Sequence, residues 1–273
     1  MKKMYGWLLL TGILWMVSSC KSEFERVRVS SDADLILRKA FEYYDKEEYQ
    51  RAQTLFDLVM NTIKGRQDAE KAYYYYANTH YFLKQYTLAA YYFKSFANTF
   101  TSSGYREEAA YLSAYCNYLQ SPSYRLDQAN TRQAIDEFQI FVNLFPQSPR
   151  IPTCNKLIDE LRRKLEQKAF AEGELYFNLR QYQSAVISFD NLLRDYPESP
   201  DVERVRYLIA KSSFLLSENS VVEKKQDRYA DTVNRCSDFL TKYPTGKYSK
   251  EVKDLRRSAE AQSKALRKRL KIS

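Results

Sequence analysis

The stretch Tyr182–Pro197, YQSAVISFDNLLRDYP, sets the pattern of apolar positions that organises the chain. Tyr182, Ala185, Phe189, Tyr196 and Pro197 form a ladder at helical spacing, with polar residues between. The same ladder occurs four more times: Tyr49, Ala52, Phe56, Ile63; Tyr86, Ala89, Phe93, Phe100; Thr131, Ala134, Phe138, Phe145, Pro146; and Tyr229, Thr232, Cys236, Tyr243, Pro244. Each copy is preceded by a small residue: Ala40, Ala77, Ala114, Gly173 or Ala210. The spacing predicts pairs of antiparallel helices. The small residues allow close approach, the Phe fills the space between pairs, and the Pro ends the second helix.

A small residue on one helix, an Ala on the next, Phe one turn on and a terminal Pro together make the tetratricopeptide pattern. The expected fold is therefore an all-α solenoid of five such repeats. Repeat one begins with the amphipathic stretch Ile36–Tyr44, capped by Asp32 or Asp34, and ends near Gly65. Repeat two spans Asp68 to about Phe100. Repeat three carries an inserted loop, Gln120–Asn130, and repeat five a similar long loop, Glu218–Arg228, charged and solvent-exposed. One long helix, Ile151–Leu179, joins repeats three and four. Ser249–Lys271, with a thin apolar stripe of Val252, Leu255, Ala259 and Leu266, is expected to cap the stack. The expected parts are a signal peptide at 1–19, a polar tether at 20–31, repeats one to three at 32–150, the long helix with repeats four and five at 151–248, and the cap at 249–273.

Composition fits long helices: only six Gly and seven Pro occur among 273 residues, of which 44% are hydrophobic. The N-terminus reads as a targeting segment. Lys2 and Lys3 precede the apolar run Tyr5–Val17, too short to span a bilayer comfortably, which ends in Val17-Ser18-Ser19-Cys20. Small residues before a Cys resemble a bacterial lipobox, in which Cys20 is acylated; an ordinary secretory signal with an incidental Cys is the competing reading. The net charge is +9, but residues 251–273 hold eight cations and three acids, so the repeats are nearly neutral and nucleic acid is not an expected partner. Cys116, Cys154 and Cys236 contain no CxxC; Cys236 takes a core position, and a Cys116–Cys154 disulfide is left open.

No catalytic set can be assembled. His80 is the one histidine and takes an aromatic packing position. No metal spacing, dinucleotide fingerprint or phosphate loop exists, so neither an enzyme nor a cofactor or metal is expected. The 24 Tyr are more informative. In a tetratricopeptide superhelix the first helix of each repeat lines the concave groove. The residues one, four and five beyond the small one, and three and six before it, do so. These are Leu37, Phe41 and Tyr44; Lys71, Tyr74, Asn78, Tyr81 and Phe82; Glu108, Tyr111, Tyr115 and Tyr118. Packing between repeats is one reading of these rings. The other is recognition of a flexible peptide, for which Tyr offers a large apolar face and a polar tip at small entropy cost. The terminal cations Arg256, Arg257, Lys264, Arg267, Lys268, Arg269 and Lys271 are either a solvated face or a dock for an acidic partner or anionic lipid.

The lipobox, tether, five repeats and long helix, with Phe145-Pro146-Gln147-Ser148-Pro149 and Leu193-Arg194-Asp195-Tyr196-Pro197-Glu198-Ser199 at repeat ends, resemble the BamD family of outer-membrane-protein assembly factors. The resemblance implies a non-enzymatic lipoprotein anchored through Cys20 in the outer membrane and facing the periplasm. It implies a barrel insertase of the Omp85/BamA type as partner, bound through its POTRA domains by the C-terminal half. It also implies that the N-terminal repeats receive the C-terminal segments of unfolded outer-membrane proteins. A periplasmic adaptor in division or peptidoglycan synthesis and a small SusD-like nutrient-binding lipoprotein are the alternatives.

Overall fold

The computed structural model describes residues 22–270, so the signal peptide and Cys20 lie outside the described residues. Those residues form twelve helices and no strand. In chain order they are α1 (Glu23–Arg28), α2 (Ala33–Asp45), α3 (Tyr49–Val59), α4 (Ala69–Phe82), α5 (Tyr86–Thr99), α6 (Arg106–Leu119), α7 (Ala129–Leu144), α8 (Ile151–Asn178), α9 (Tyr182–Asp195), α10 (Val202–Glu218), α11 (Val222–Lys242) and α12 (Ser249–Leu270). The pairs α2/α3, α4/α5, α6/α7, α8/α9 and α10/α11 are five tetratricopeptide hairpins, with α8 as the long joining helix and α12 as the cap. The chain divides into two compact units. The first runs to Ser121 and resumes at Ala129–Ile158; the second is Pro122–Gln128 with Asp159 onward. The boundary thus falls inside α8, eight residues beyond the expected 150/151 division.

Within each hairpin the expected close approach is present. Ala40, Ala77, Ala114 and Ala210 are inaccessible to solvent, as are Phe56, Phe93, Phe138, Phe189 and Cys236. Gly173 is the tightest case. A Cβ placed on it would lie 2.4 Å from Cε1 of the buried Phe189 ring, so no larger residue fits without moving that ring.

The turns of three hairpins share one geometry that residue type does not announce. Glu47, Lys84 and Arg180 all take the left-handed conformation, with φ of 60°, 58° and 60°. The amide following each returns to a carbonyl of the preceding helix: Glu48 N to Tyr43 O, Gln85 N to His80 O and Gln181 N to Tyr176 O, each at 2.9 Å. This is a Schellman closure made without glycine, at a local cost of about 1 kcal/mol each. The carbonyl capping and the packing of the next helix offset it. Repeats three and five, with inserted connections, lack a left-handed residue at this point.

A second recurrent device joins one hairpin to the next. Ser103, Ser148 and Ser199 each follow the end of a repeat by three residues from Phe100, Phe145 and Tyr196. Ser103 donates to Glu70 at 2.5 Å and Ser148 to Glu107 at 2.6 Å, and Ser199 donates to Glu166. Each hydroxyl also accepts the amide two residues on: Tyr105, Arg150 and Asp201. The acid always lies seven residues before the small residue of its helix. At the last junction Gly246 stands where the Ser would be, and Glu203 fills the space of the missing side chain and accepts from Tyr248 N at 3.4 Å.

Two expectations need correction, and one open question closes. Residues 22–28 are not a plain tether: Ser22 caps α1, Val27 is buried, and Phe24 meets Tyr43 edge-on at 5.7 Å. The repeat-five extension is not a loop, because α11 begins at Val222 and its charged residues continue the helical period. Cys116 and Cys154 are buried free thiols rather than a disulfide, and burial pushes them up to about 12 and about 11.

His80 is 3% exposed and belongs to the junction of repeats one and two. Its ring stacks on Tyr92 at 4.9 Å and meets Tyr76 edge-on at 4.8 Å. Gln85 Oε1 lies 2.6 Å from His80 Nδ1 and accepts from Gln53 Nε2 at 2.7 Å. Burial holds the imidazole below its ordinary pKa, against the smaller opposing effects of Gln85 and Asp57.

Two outcomes follow. Gly173→Ala should lower stability to urea by about 1–3 kcal/mol, because Phe189 must shift; on a helix with open space the same change would stabilise. A gain in stability would show that the ring has room. For His80, the unfolded chain takes up a proton near about pH 6.5 that the folded state resists. The stability contribution of neutral His80 is therefore fully present above about 6.5 and is lost as pH falls. The melting temperature should drop between neutral pH and a pH still above the carboxylate range, and His80→Gln should flatten that slope; equal slopes would contradict the assignment.

Candidate functional site

The first helices of repeats one to three, α2, α4 and α6, bring their rings together on one face of the first unit. Phe41 meets Tyr75 edge-on at 5.3 Å, and Tyr75 lies 4.5 Å from Tyr44. Tyr44 contacts Tyr49 at 5.4 Å, Tyr49 stacks on Phe82 at 4.5 Å, and Phe82 meets Tyr81 at 5.6 Å. Tyr74 stacks on Tyr105 at 4.4 Å. Along α6, Tyr111, Tyr115 and Tyr118 stack in series at 5.7 and 5.6 Å, as residues one helical turn apart can. Two cations border the rings. Lys71 Nζ lies 4.8 Å from the Phe41 centroid and 5.2 Å from that of Tyr75, while the Arg150 guanidinium lies 4.3 Å over Tyr111 and pairs with Glu108.

The residues expected here divide by depth. Phe82 is 44% exposed; Lys71 is exposed too, and Phe41, Tyr44, Tyr74, Tyr81, Tyr115 and Tyr118 are half-buried. Leu37 instead belongs to the core, packed with Ile36, Ala40 and Phe56, because its turn of α2 points at α3. Asn78 is buried too, its amide donating to Tyr74 O at 2.8 Å within its own helix. Tyr111 is at the buried limit, covered by Arg150 and packed on Phe138 and Phe141. These three form the floor. Burial raises the phenol pKa values of Tyr44, Tyr74 and Tyr81, so the rings stay neutral across the physiological range.

Sequence reasoning missed Tyr49, Tyr75, Tyr105 and Arg150. Tyr49 and Tyr105 sit at helix starts, where a rule built on positions along the first helix of each repeat does not look. Tyr75 lies two residues before Ala77, beside the positions tested. Arg150 follows the repeat-end motif Phe145–Pro149, and that proximity to the next junction was its only signal.

The corresponding positions of the second unit present a different chemistry. Arg204 lies 4.6 Å over Phe170 and pairs with Glu174 at 2.5 Å. Tyr207 stacks on Tyr248 at 4.3 Å, donates to Glu251 at 2.6 Å and accepts from Lys211 at 2.7 Å. Phe170 and Tyr207 there are covered by Arg204 and Lys211, which are themselves paired with acids, while Phe177 and Phe214, four residues beyond Gly173 and Ala210, are half-buried rings that contact Tyr182 and Tyr229. The one deeply buried acid of the first unit, Glu137, accepts from Lys94, Ser113 and Asn117 and is a satisfied structural group. The terminal cations lie along α12: Arg256 is half-buried and pairs with Glu260, Arg257 pairs with Asp254, and Lys264, Arg267, Lys268 and Arg269 are exposed on its last turns. No helix among the described residues is long and apolar enough to cross a membrane.

Comparison with known proteins finds one family and several distant relatives. The family described as YfiO, outer membrane lipoprotein, matches residues 30–211 and 175–260. A protein of Aquifex aeolicus, named as a candidate outer membrane protein assembly factor BamD, is 22% identical over 250 residues, covering 90% of this chain and 80% of that protein. The outer membrane protein assembly factor BamD of Rickettsia prowazekii is 20% identical over 222 residues, covering 81% of this chain and 88% of that protein. A solved tetratricopeptide-repeat protein of Bacteroides fragilis covers 85% of this chain and 100% of its own, with a TM-score of 0.38 and 12% identity. Since the family match extends over most of its length, the chain belongs to the YfiO family of outer membrane lipoproteins, the family of the assembly factor BamD.

Proposed function

We propose that this protein is a non-enzymatic assembly factor for outer-membrane β-barrel proteins, anchored by an acylated Cys20 and facing the periplasm. Its first unit receives an extended segment of unfolded barrel protein that carries aromatic side chains. The observation that carries this reading is the lattice of half-buried rings on α2, α4 and α6, bordered by Lys71 and Arg150. Rings arranged edge-on and offset can accept a further ring from a ligand at little reorganisation cost. Lys71, which makes no ion pair among the described residues, suits a peptide that ends in a carboxylate.

The second unit, with its paired charges on Glu174, Arg204, Lys211 and Glu251, docks a POTRA domain of the barrel insertase. Such a face favours a partner of defined charge pattern over a flexible apolar strand, because each unmatched ion loses solvation on contact. Family membership supports this division of labour, and the contrast between the two faces gives it a physical basis.

The test is binding of a synthetic peptide with the last strand of an outer-membrane barrel, followed by fluorescence anisotropy. Replacing both Tyr81 and Tyr115 by Ala should weaken binding about tenfold or more, with the helical circular dichroism retained. Unchanged affinity in the folded double variant would remove the peptide reading.

A further inference from the structure

The second helix of repeat five, α11, has 21 residues, against 14 in α5 and 14 in α9. Its extra turns precede Tyr229, the residue that opens the repeat ladder, and the hairpin itself has no need of them. They lie instead against the end of the cap. The Gln226 amide sits 2.8 Å from Ser263 Oγ, and with its oxygen turned to α12 it accepts from Arg267 Nε at 2.9 Å. Among the residues of α12 described up to Arg269, Ala259 is the last that is buried, and beyond it only Ser263 and Leu266 are half-buried. The insertion therefore extends the support of a helix end that has no core of its own.

What that end presents is charge. Lys264, Lys268 and Arg269 are exposed and make no ion pair among the described residues. The acids of α12 are engaged further back, Glu251 with Lys211, Asp254 with Arg257 and Glu260 with Arg256. Residues 222–228 and 261–269 together hold seven cations and two acids, Glu223 and Asp227. Beside them are two apolar residues that the fold leaves open: Val221 is 60% and Val222 52% exposed. Because α11 and α12 are antiparallel and Gln226 meets both Ser263 and Arg267, one further turn sets Val222 level with the last turn of α12.

We infer that this end of the second unit rests on an anionic phospholipid surface, with Lys264, Arg267, Lys268 and Arg269 among the headgroups and Val221 and Val222 at the boundary below them. Lys264 and Arg267 border a cleft between α11 and α12, Lys268 and Arg269 lie outside it, and no aromatic ring among the described residues anchors any of them; flexible cations so placed suit a continuous charged plane, which accepts any arrangement of them. An acidic protein of fixed shape would need matched geometry, and it would leave the two valines without a role. The combination of a basic helix face and a small apolar tip is that of an interfacial contact. This inference is independent of the peptide and insertase assignments.

The test uses the full-length protein, acylated at Cys20 so that this thiol is blocked, carrying Val222→Cys labelled with an environment-sensitive fluorophore, the native Cys116, Cys154 and Cys236 being buried. The protein is reconstituted into vesicles of phosphatidylcholine alone or mixed with phosphatidylglycerol. On the anionic vesicles the emission should shift to the blue and rise about twofold or more, and high salt should reverse the change. The triple change Lys264→Gln, Lys268→Gln and Arg269→Gln, which keeps the Arg267 contact to Gln226, should abolish it with circular dichroism unaltered. Identical emission in both vesicle types overturns the proposal. So does a response to soluble polyglutamate that exceeds the response to anionic vesicles, which would assign the patch to an acidic protein.

Discussion

Everything in the fold depends on a residue no larger than Ala lying where two helices cross, against a buried Phe in four hairpins and against Cys236 in the last. At Ala40, Ala77, Ala114 and Ala210 a methyl group is tolerated, and at Gly173 the Phe189 ring leaves no room even for that. This approach fixes the distance between the helices of each hairpin. It also decides which residues of the first helix face inward and which are left for the adjoining face. Much of the phenol lattice of the first unit and of the ion-paired face of the second stands on the same positions counted from the small residue; Tyr49, Tyr75 and Tyr105 in the first, and Tyr248 and Glu251 in the second, join from outside that count.

The difference between the faces is one of desolvation. In the first unit, the tyrosines keep apolar faces partly open and carry no charge, so covering them costs little beyond displaced water. In the second, Arg204, Lys211, Glu174 and Glu251 are already paired, and a ligand must match or disturb those pairs. One scaffold thus presents two surfaces that differ in the cost of covering them.

Much of this was legible in the residues. The five ladders announced the hairpins, Ile151–Leu179 was expected as one long helix, and counting from the small residues placed most of the rings. The parts that were not legible have specific causes. Glu47, Lys84 and Arg180 adopt a backbone conformation usually associated with Gly, and only the tertiary packing of the following helix imposes it. The Ser-to-Glu links join residues 33 or 41 positions apart, at offsets that no local period reveals. Leu37 and Asn78 obey the counting rule yet lie in the floor, because a helix face grades into the core over a single turn. The charged start of α11 read as a loop because its period is supported only by the neighbouring end of α12, itself poor in apolar residues.

The central claim is that unfolded barrel chains meet the protein on the phenol-rich face of the first unit. Photo-crosslinking tests it most directly, with benzoylphenylalanine placed at Phe82 and, separately, at the equivalent face of the second unit at Phe214. The account predicts adducts with nascent outer-membrane proteins from position 82 and none from position 214. Adducts from 214 alone, or none from 82 while barrel assembly proceeds, would contradict it.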